Sequence, residues 1–258
     1  MIFRPRQKQL YYLPRIFIHD IENDINIPLE NKEYVKYLGI LIDQNLSWKN
    51  HIDNISTKIS RHIGLIARLR HFVPFNTLLT IYRSLILPYQ TYGLPVWGQA
   101  CKTYLNKVLL LQKRALRFMY FANRQAHALP LFKDTKSLPL SFLYYRSCAM
   151  LMHDVSTGTA PSNLLNQFKN ISDVHSYNTR SSTSKNLYIS KFSLEIQNNY
   201  FVVFGSKLWN AVSASTRNLP KKIFKTKLKS LLFHILSEQD DYIDPQTIVE
   251  RVQSSKFE

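Results

Sequence analysis

The stretch from Tyr34 to Arg70 decides the fold, because an extended segment is followed there by a long amphipathic helix. The segment reads Tyr34-Val-Lys-Tyr-Leu-Gly-Ile-Leu-Ile-Asp43, and its β-branched and aromatic residues are typical of a strand. The helix begins at Ser47, a residue type that favours helix N-caps. Apolar residues then recur three and four positions apart, which predicts one buried stripe. The stripe consists of Trp48, Ile52, Ile55, Ile59, Ile63, Ile66 and Leu69.

Short extended runs precede this stretch and helical patterns follow it. Residues 1–43 contain too little sheet to be stable unless helices cover its apolar face. The fold class is therefore predicted to be mainly α, a helical bundle with a small N-terminal antiparallel β ribbon. The later predicted elements are a helix opening at Pro74, helices at 103–120, 140–153, 162–168 and 200–209, a strand at 187–189 and a last helix at 223–236.

Composition divides the chain into five predicted parts. A β ribbon occupies residues 1–46, and a helical domain occupies 47–168. Residues 169–185 are rich in Ser, Thr and Asn and are predicted to be a linker. A basic helical region follows at 186–237, and the acidic, polar residues 238–258 are expected to form a flexible tail.

The charge distribution points to a polyanionic partner. The chain has 34 Lys and Arg against 17 Asp and Glu, a net charge of +17. No acidic residue occurs between Asn54 and Lys133 or between Ile196 and Ser237. Ordinary solvated surfaces mix both signs, so this bias predicts binding to RNA or DNA, as a duplex or a single strand. An anionic membrane is the second partner class by charge alone.

Motifs for common enzyme chemistry are missing from the sequence. It has no His-Glu-x-x-His, no Gly-x-Ser-x-Gly and no Gly-rich phosphate loop. Two-metal phosphoryl transfer needs clustered carboxylates. The adjacent pair Asp240-Asp241 follows the last predicted helix and is interpreted as part of a solvated tail. Asp43 and Asp53 suit a turn and a first helical turn, so no catalytic residue, metal site or cofactor is predicted.

The two cysteines and the absence of long apolar runs bear on location. Cys101 and Cys148 have no Cys-x-x-Cys or Cys/His companions, which favours free thiols in a reducing compartment. No apolar run approaches the roughly 20 residues needed to span a bilayer. We therefore expect an intracellular protein, cytoplasmic or nuclear, that does not act at a membrane.

Eight basic residues are candidate nucleic-acid-binding residues. They lie mostly off the apolar faces of the two longest predicted helices, where they are free to meet a partner. His51 and His62 are expected to share that exposure. The candidates are Lys58, Arg61, Arg68 and Arg70 on the first helix and Lys107, Lys113, Arg114 and Arg117 on the second.

A set of short motifs adds a family resemblance over nearly the whole chain. The motifs are Val35-Lys-Tyr-Leu-Gly39, Ile42-Asp43, Leu46-Ser-Trp48, His51-Ile52, Lys58-Ile59, Leu69-Arg70, Ile81-Tyr82, Leu87-Pro-Tyr89, Tyr92-Gly93, Val96-Trp97-Gly98, His175-Ser-Tyr-Asn-Thr-Arg180 and Gly205-x-x-Leu-Trp-Asn210. Together they resemble the part of a jockey-like non-LTR retrotransposon (LINE) reverse transcriptase that follows its catalytic palm.

The resemblance implies a role in holding a primer. Tyr37, Leu38 and Gly39 would belong to the primer grip, and the following helices to the thumb that holds the template-primer duplex. The palm carboxylates lie upstream in such polymerases, so this chain is expected to be inactive alone. Mg²⁺ would be needed only with a palm supplied elsewhere, and the palm and endonuclease parts of the element are further candidate partners.

Two other interpretations stay open at the level of sequence. The chain is part of an active reverse transcriptase if a palm is encoded upstream. Alternatively, it is a structural or protein-interaction remnant whose basic face binds an acidic partner. An exposed apolar patch on the N-terminal ribbon is expected where a palm would pack.

Overall fold

The computed structural model describes residues 1–3, 15–174, 177, 186–190, 200–238 and 245–255, and it is mainly helical as predicted. The strands are β1 (Phe17–Asp20), β2 (Ile25–Pro28), β3 (Tyr34–Tyr37) and β4 (Ile40–Asp43). The helices are α1 (Lys49–Leu69), α2 (Phe75–Ile81), a π-helical turn (Tyr82–Ile86), α3 (Leu87–Thr91), α4 (Leu94–Trp97), α5 (Lys102–Met119), α6 (Leu129–Asp134), α7 (Leu140–Ser156), α8 (Ser162–Leu165), α9 (Ile171–Val174), α10 (Phe201–Ala211), α11 (Ala214–Arg217), α12 (Lys221–Ser237) and α13 (Pro245–Ser254).

The segment from Tyr34 to Asp43 is a hairpin, whereas the sequence predicted one extended run. β3 pairs antiparallel with β4, and Leu38 and Gly39 form the turn. Their φ angles are 45° and 82°. Positive φ at both central residues defines the two-residue turn that matches strand twist, and a glycine adopts it without steric cost. β1 and β2 form a second antiparallel hairpin, so the predicted ribbon is two separate pairs.

Helices α1 and α5 form the centre of the helical part. The predicted stripe on α1 is confirmed, since Ile52, Ile59 and Ile66 are fully buried. The Lys107 ammonium pairs with the Asp53 carboxylate near the first turns of both helices. The Arg70 guanidinium lies over the Phe118 ring at their last turns. The N-terminal turns of α1 and α5 contact each other, and so do their C-terminal turns, so the two helices run in the same direction. The chain must therefore return from the end of α1 to the start of α5, which it does through α2 to α4.

Helices from the C-terminal third pack onto α7 and extend the same core. α10, α12 and α13 each contact α7. The expectation of a flexible tail is wrong for α13, where Ile248 and Val252 are buried. These two residues are four apart, so a helix places both on its core-facing side. Most of the predicted linker and the Asp240-Asp241 pair lie outside the described residues, and the five-part division stays a prediction.

The predicted strand at residues 187–189 is a single β-bridge between Leu187 and Asn170. The Asn210 side chain replaces a neighbouring strand on the other side of Leu187. Its Oδ1 accepts the Leu187 N–H at 2.8 Å and its Nδ2 donates to the Leu187 carbonyl at 2.9 Å. One amide side chain thus satisfies the backbone that a second strand would otherwise pair with.

Candidate nucleic-acid interface

The predicted primer-grip residues lie at the tip of the β3–β4 hairpin. Tyr37 and Leu38 are 64% and 72% exposed, so both are presented to solvent. The Tyr92 hydroxyl donates a 2.6 Å hydrogen bond to the Leu38 carbonyl. A Cβ on Gly39 would lie 3.5 Å from the Tyr92 ring. Gly39 therefore provides the backbone conformation of the turn and lies beside the Tyr92 ring, while Tyr37 and Leu38 at the tip remain exposed to solvent.

Asp43 fixes the connection from the hairpin to α1. Its carboxylate accepts the backbone N–H groups of Asn45, Ser47 and Trp48 at 3.1, 3.0 and 2.7 Å. The expectation of a turn residue is confirmed for Asp43. Ser47, by contrast, does not begin the helix, since α1 begins at Lys49 and Trp48 adopts a left-handed conformation before it. The Asp43 carboxylate, and not the Ser47 side chain, thus accepts the free amides of the turn before α1.

His51 joins the hairpin to the helices, and the expectation that it faces a partner is wrong. Its Nδ1 accepts the Leu41 N–H at 3.3 Å, and its ring packs edge-on against Trp97. The side chain is 2% exposed. Burial, followed by the charge of Lys58, lowers the pKa of the imidazole. A neutral His51 therefore connects the hairpin to the helices.

Gly93 allows the hairpin to approach the crossover closely. Its φ is 61°, and a Cβ there would lie 2.5 Å from Ile40 Cδ1. The Trp97 indole donates to the Tyr92 carbonyl at 2.9 Å and supports the same turn. We call Gly39, Asp43, His51, Tyr92, Gly93 and Trp97 the hairpin joint.

The four predicted cations of α1 point in different directions. Arg61 and Arg68 are exposed on the helix surface. Lys58 is half-buried, with its ammonium 5.6 Å from the centre of the Tyr89 ring. The Arg70 guanidinium lies over the Phe118 and Phe121 rings at 5.5 and 4.7 Å. Of these four residues, Arg61 and Arg68 are thus the best exposed for a phosphate.

The four predicted cations of α5 divide between two sides of the helix. Lys107 is paired with Asp53, and the Arg114 guanidinium lies 5.3 Å from the Phe118 ring. Arg117 Nε donates to the Ala126 carbonyl at 2.8 Å, which ties α5 to the following loop. Lys113 and Arg117 border a cavity of about 260 Å³ whose walls include Phe132 and Phe142. The eight predicted cations therefore do not form one face.

Four other cations lie together although the sequence reasoning did not select them. They are Arg83, Lys136, Arg146 and Lys229, and we call them the cationic cluster. They come from the π-helical turn, the loop before α7, α7 itself and α12. Periodicity along one helix carries no signal for such a group, because tertiary packing brings its members together.

The expected exposed apolar surface is present on the N-terminal hairpin. Phe17, Ile18, Ile25 and Ile27 on β1 and β2 are each at least half exposed, and Ile21 between them is 87% exposed. Ile18 and Ile27 are directly paired across the two strands. A continuous pair of strands therefore presents apolar side chains to solvent.

The remaining side-chain chemistry of the described residues is sparse. Cys101 is exposed, Cys148 is buried, and both are free thiols as predicted. Burial raises the pKa of the Cys148 thiol. Within the described ranges, no group of three or more His, Cys, Asp or Glu residues is arranged to hold a metal ion. No described helix is both long and apolar enough to cross a bilayer.

Comparison with known proteins confirms the resemblance for about a third of the chain. The chain is 39% identical over 93 residues to the RNA-directed DNA polymerase from mobile element jockey of Drosophila melanogaster, which is 34% of this chain and 10% of that protein. It is 27% identical over 110 residues to the probable RNA-directed DNA polymerase from transposon X-element of the same species, which is 41% of this chain and 11% of the relative. It is 28% identical over 92 residues to the corresponding protein from transposon BS, again 34% of this chain and 10% of that protein.

About a third of the chain is thus similar to jockey-like non-LTR retrotransposon polymerases. The matched part is about a tenth of the length of these relatives. No protein-family model matches the chain, and no solved structure gives a significant match.

Proposed function

We propose that this chain binds the backbone of nucleic-acid duplexes and presents its hairpin tip to the end of a primer. The observation that carries the proposal is the hairpin joint, which holds exposed Tyr37 and Leu38 beside a long helix with outward-facing Arg61 and Arg68. The similarity to RNA-directed DNA polymerases supports a nucleic-acid partner. Arginine guanidinium groups match phosphate geometry, and contacts to phosphate carry no sequence information.

The chain is proposed to hold the duplex without catalysing nucleotide addition. Metal-dependent phosphoryl transfer requires carboxylates that place two cations close together. In the part of the chain that the structure describes, Asp43 is committed to three backbone amides and Asp53 to Lys107. Primer extension by the purified chain with Mg²⁺ and nucleoside triphosphates would overturn this part of the proposal.

Binding is tested with the double variant Arg61→Gln/Arg68→Gln. If each residue contacts one phosphate of B-DNA, the slope of log K against log salt becomes shallower by about 1.8, twice the 0.9 expected per contact. The matched control is Lys169→Gln/Lys207→Gln, which removes two exposed charges outside α1 and α5. Equal slopes in both double variants, or no duplex binding by the unmodified chain at low salt, would contradict the proposal.

The exposed apolar hairpin favours a protein-interaction element as the second candidate function. Apolar pairs such as Ile18 and Ile27 are typical of surfaces that another protein covers. In that case, association with a protein persists in high salt and after nuclease treatment. The double variant Ile18→Ser/Ile27→Ser would abolish it and leave duplex binding unchanged. Retained association in this variant would remove the second candidate.

A further inference from the structure

The cationic cluster brings together four positive side chains that are far apart in sequence. Arg83 Nη2 donates a 3.1 Å hydrogen bond to the Thr135 carbonyl, which places its guanidinium one residue from Lys136. Lys133 Nζ donates to the Ser237 carbonyl at 2.9 Å, which ties the end of α12 to α6. α12 also packs against α7, which carries Arg146. These contacts bring together the four elements that carry the cluster, and the charges of Arg146, Arg83 and Lys136 all act on Lys229.

Lys136 is held in a costly backbone conformation within this cluster. Its φ is 49°, in the left-handed region that lysine rarely adopts. The Lys136 N–H donates to the Lys133 carbonyl at 3.1 Å, and the Ser137 N–H donates to the Phe132 carbonyl at 3.0 Å. The end of α6 therefore places this lysine at the turn, where a glycine would fit with less strain.

The charges of the cluster repel one another. The pKa of Lys229, a residue that is exposed overall, is lowered by the partial burial of its ammonium group and then by the positive charges of Arg146, Arg83 and Lys136. Among the described residues, no carboxylate contributes to that shift. Asp134, which is close in sequence, acts instead on Tyr120, where burial first and then the charge of Asp134 raise the pKa of the hydroxyl. The folded chain thus carries a concentration of positive charge that a bound anion would relieve.

We propose that Arg83, Lys136, Arg146 and Lys229 form a second phosphate-binding site for the backbone of a nucleic acid, distinct from the cations of α1 and α5. The inference rests on the proposed function, because it assigns a further contact to the same ligand. A phosphodiester backbone suits the cluster because its regularly spaced charges can meet several cations at once. The two guanidinium groups can also each bind a phosphate through paired N–H donors.

The test uses the double variant Lys136→Gln/Lys229→Gln in the full chain, since both side chains are exposed. Binding to a B-DNA duplex is measured over a range of salt concentrations. If each lysine contacts one phosphate, the slope of log K against log salt becomes shallower by about 1.8 in the variant. The control Lys169→Gln/Lys207→Gln removes the same net charge elsewhere and is expected to retain nearly the full slope. Thermal melting checks that both variants fold.

The outcomes separate this site from the proposed function. Equal slopes for the cluster variant and the control would overturn the site, while a reduced slope for Arg61→Gln/Arg68→Gln would leave the proposed function standing. No duplex binding by the unmodified chain at low salt would overturn both. If poly-glutamate binds the unmodified chain but not the cluster variant, and both proteins bind the duplex equally well, the cluster is a site for an acidic polypeptide. That result would also overturn the proposed phosphate-binding site.

Discussion

The hairpin joint and the cationic cluster differ in the neighbours of their polar side chains. In the joint, Asp43 and His51 meet backbone N–H groups, and Tyr92 meets a carbonyl oxygen. In the cluster, Lys229 is positioned among charges of its own sign. A region whose polar groups are paired stabilises the fold, whereas a region of like charges gains its partners from a ligand. The first is therefore the structural part of the proposed interface, and the second is a binding part.

Removing the Asp43 carboxylate is expected to have the largest effect on stability. Asp43→Ala leaves three amides of a partly buried turn without their acceptor, which should lower the free energy of unfolding by about 2 kcal/mol. Asp43→Asn is the matched control and should cost less, because one side-chain oxygen still accepts. Urea denaturation measures both. A loss below about 0.5 kcal/mol for Asp43→Ala would show that the joint is not a stabilising unit.

Acidification is expected to weaken the joint through His51. The pKa of its imidazole is lowered by burial and by Lys58, so the unfolded chain binds a proton more readily than the folded chain. Stability therefore falls as pH drops from about 6.5 towards the folded pKa. Melting temperature against pH should fall less steeply for His51→Gln than for the unmodified chain. Identical pH profiles would contradict a neutral His51 in the joint.

Tyr92→Phe tests the hydrogen bond that fixes the hairpin tip. The variant keeps the ring beside Gly39 and removes only the donor to the Leu38 carbonyl. Because the group is partly exposed, we expect a loss of about 1 kcal/mol or less in the free energy of unfolding. Hydrogen exchange of the turn amides should accelerate more than exchange in α5. Unchanged exchange at the turn would show that the tip is held by other contacts.

Lys229→Gln is expected to have the smallest effect, and of opposite sign. Below the folded pKa of Lys229, the unfolded chain carries this charge more favourably than the folded chain. Neutralising it should raise the melting temperature slightly at low salt, and salt should reduce that gain by screening the repulsion. The same change should weaken duplex binding. A lower melting temperature at low salt would mean that the contact of the Lys229 ammonium with the Phe233 ring, 5.7 Å from its centre, outweighs the repulsion.

The sequence predicted the helical framework well because repeated apolar spacing reports burial directly. The stripe from Ile52 to Ile66 is an example of a pattern that tertiary contacts did not alter. The hairpin was missed because the apolar residues on both sides of Leu38 and Gly39 were interpreted as one extended strand. The glycine within that run was the available turn signal. The α13 helix was missed because its acidic, polar surroundings outweighed the spacing of Ile248 and Val252.

Prediction of the candidate site was less complete, for a physical reason. Helical position shows that Arg70 and Arg117 lie off the core, but not that they meet aromatic rings and a backbone carbonyl. His51 was expected to be exposed because its partners, the Leu41 amide and Trp97, come from other elements. Spacing along one helix cannot show such neighbours. The cationic cluster was missed for the same reason.

The most direct test of the central claim is the salt dependence of binding for two duplexes of unrelated sequence. The account predicts that the unmodified chain binds both with similar affinity at low salt. It also predicts that log K falls with log salt along the same steep slope for both duplexes, by about 0.9 for each phosphate contact on B-DNA. Absence of binding at low salt, a slope near zero, or a strong preference for one sequence would contradict it.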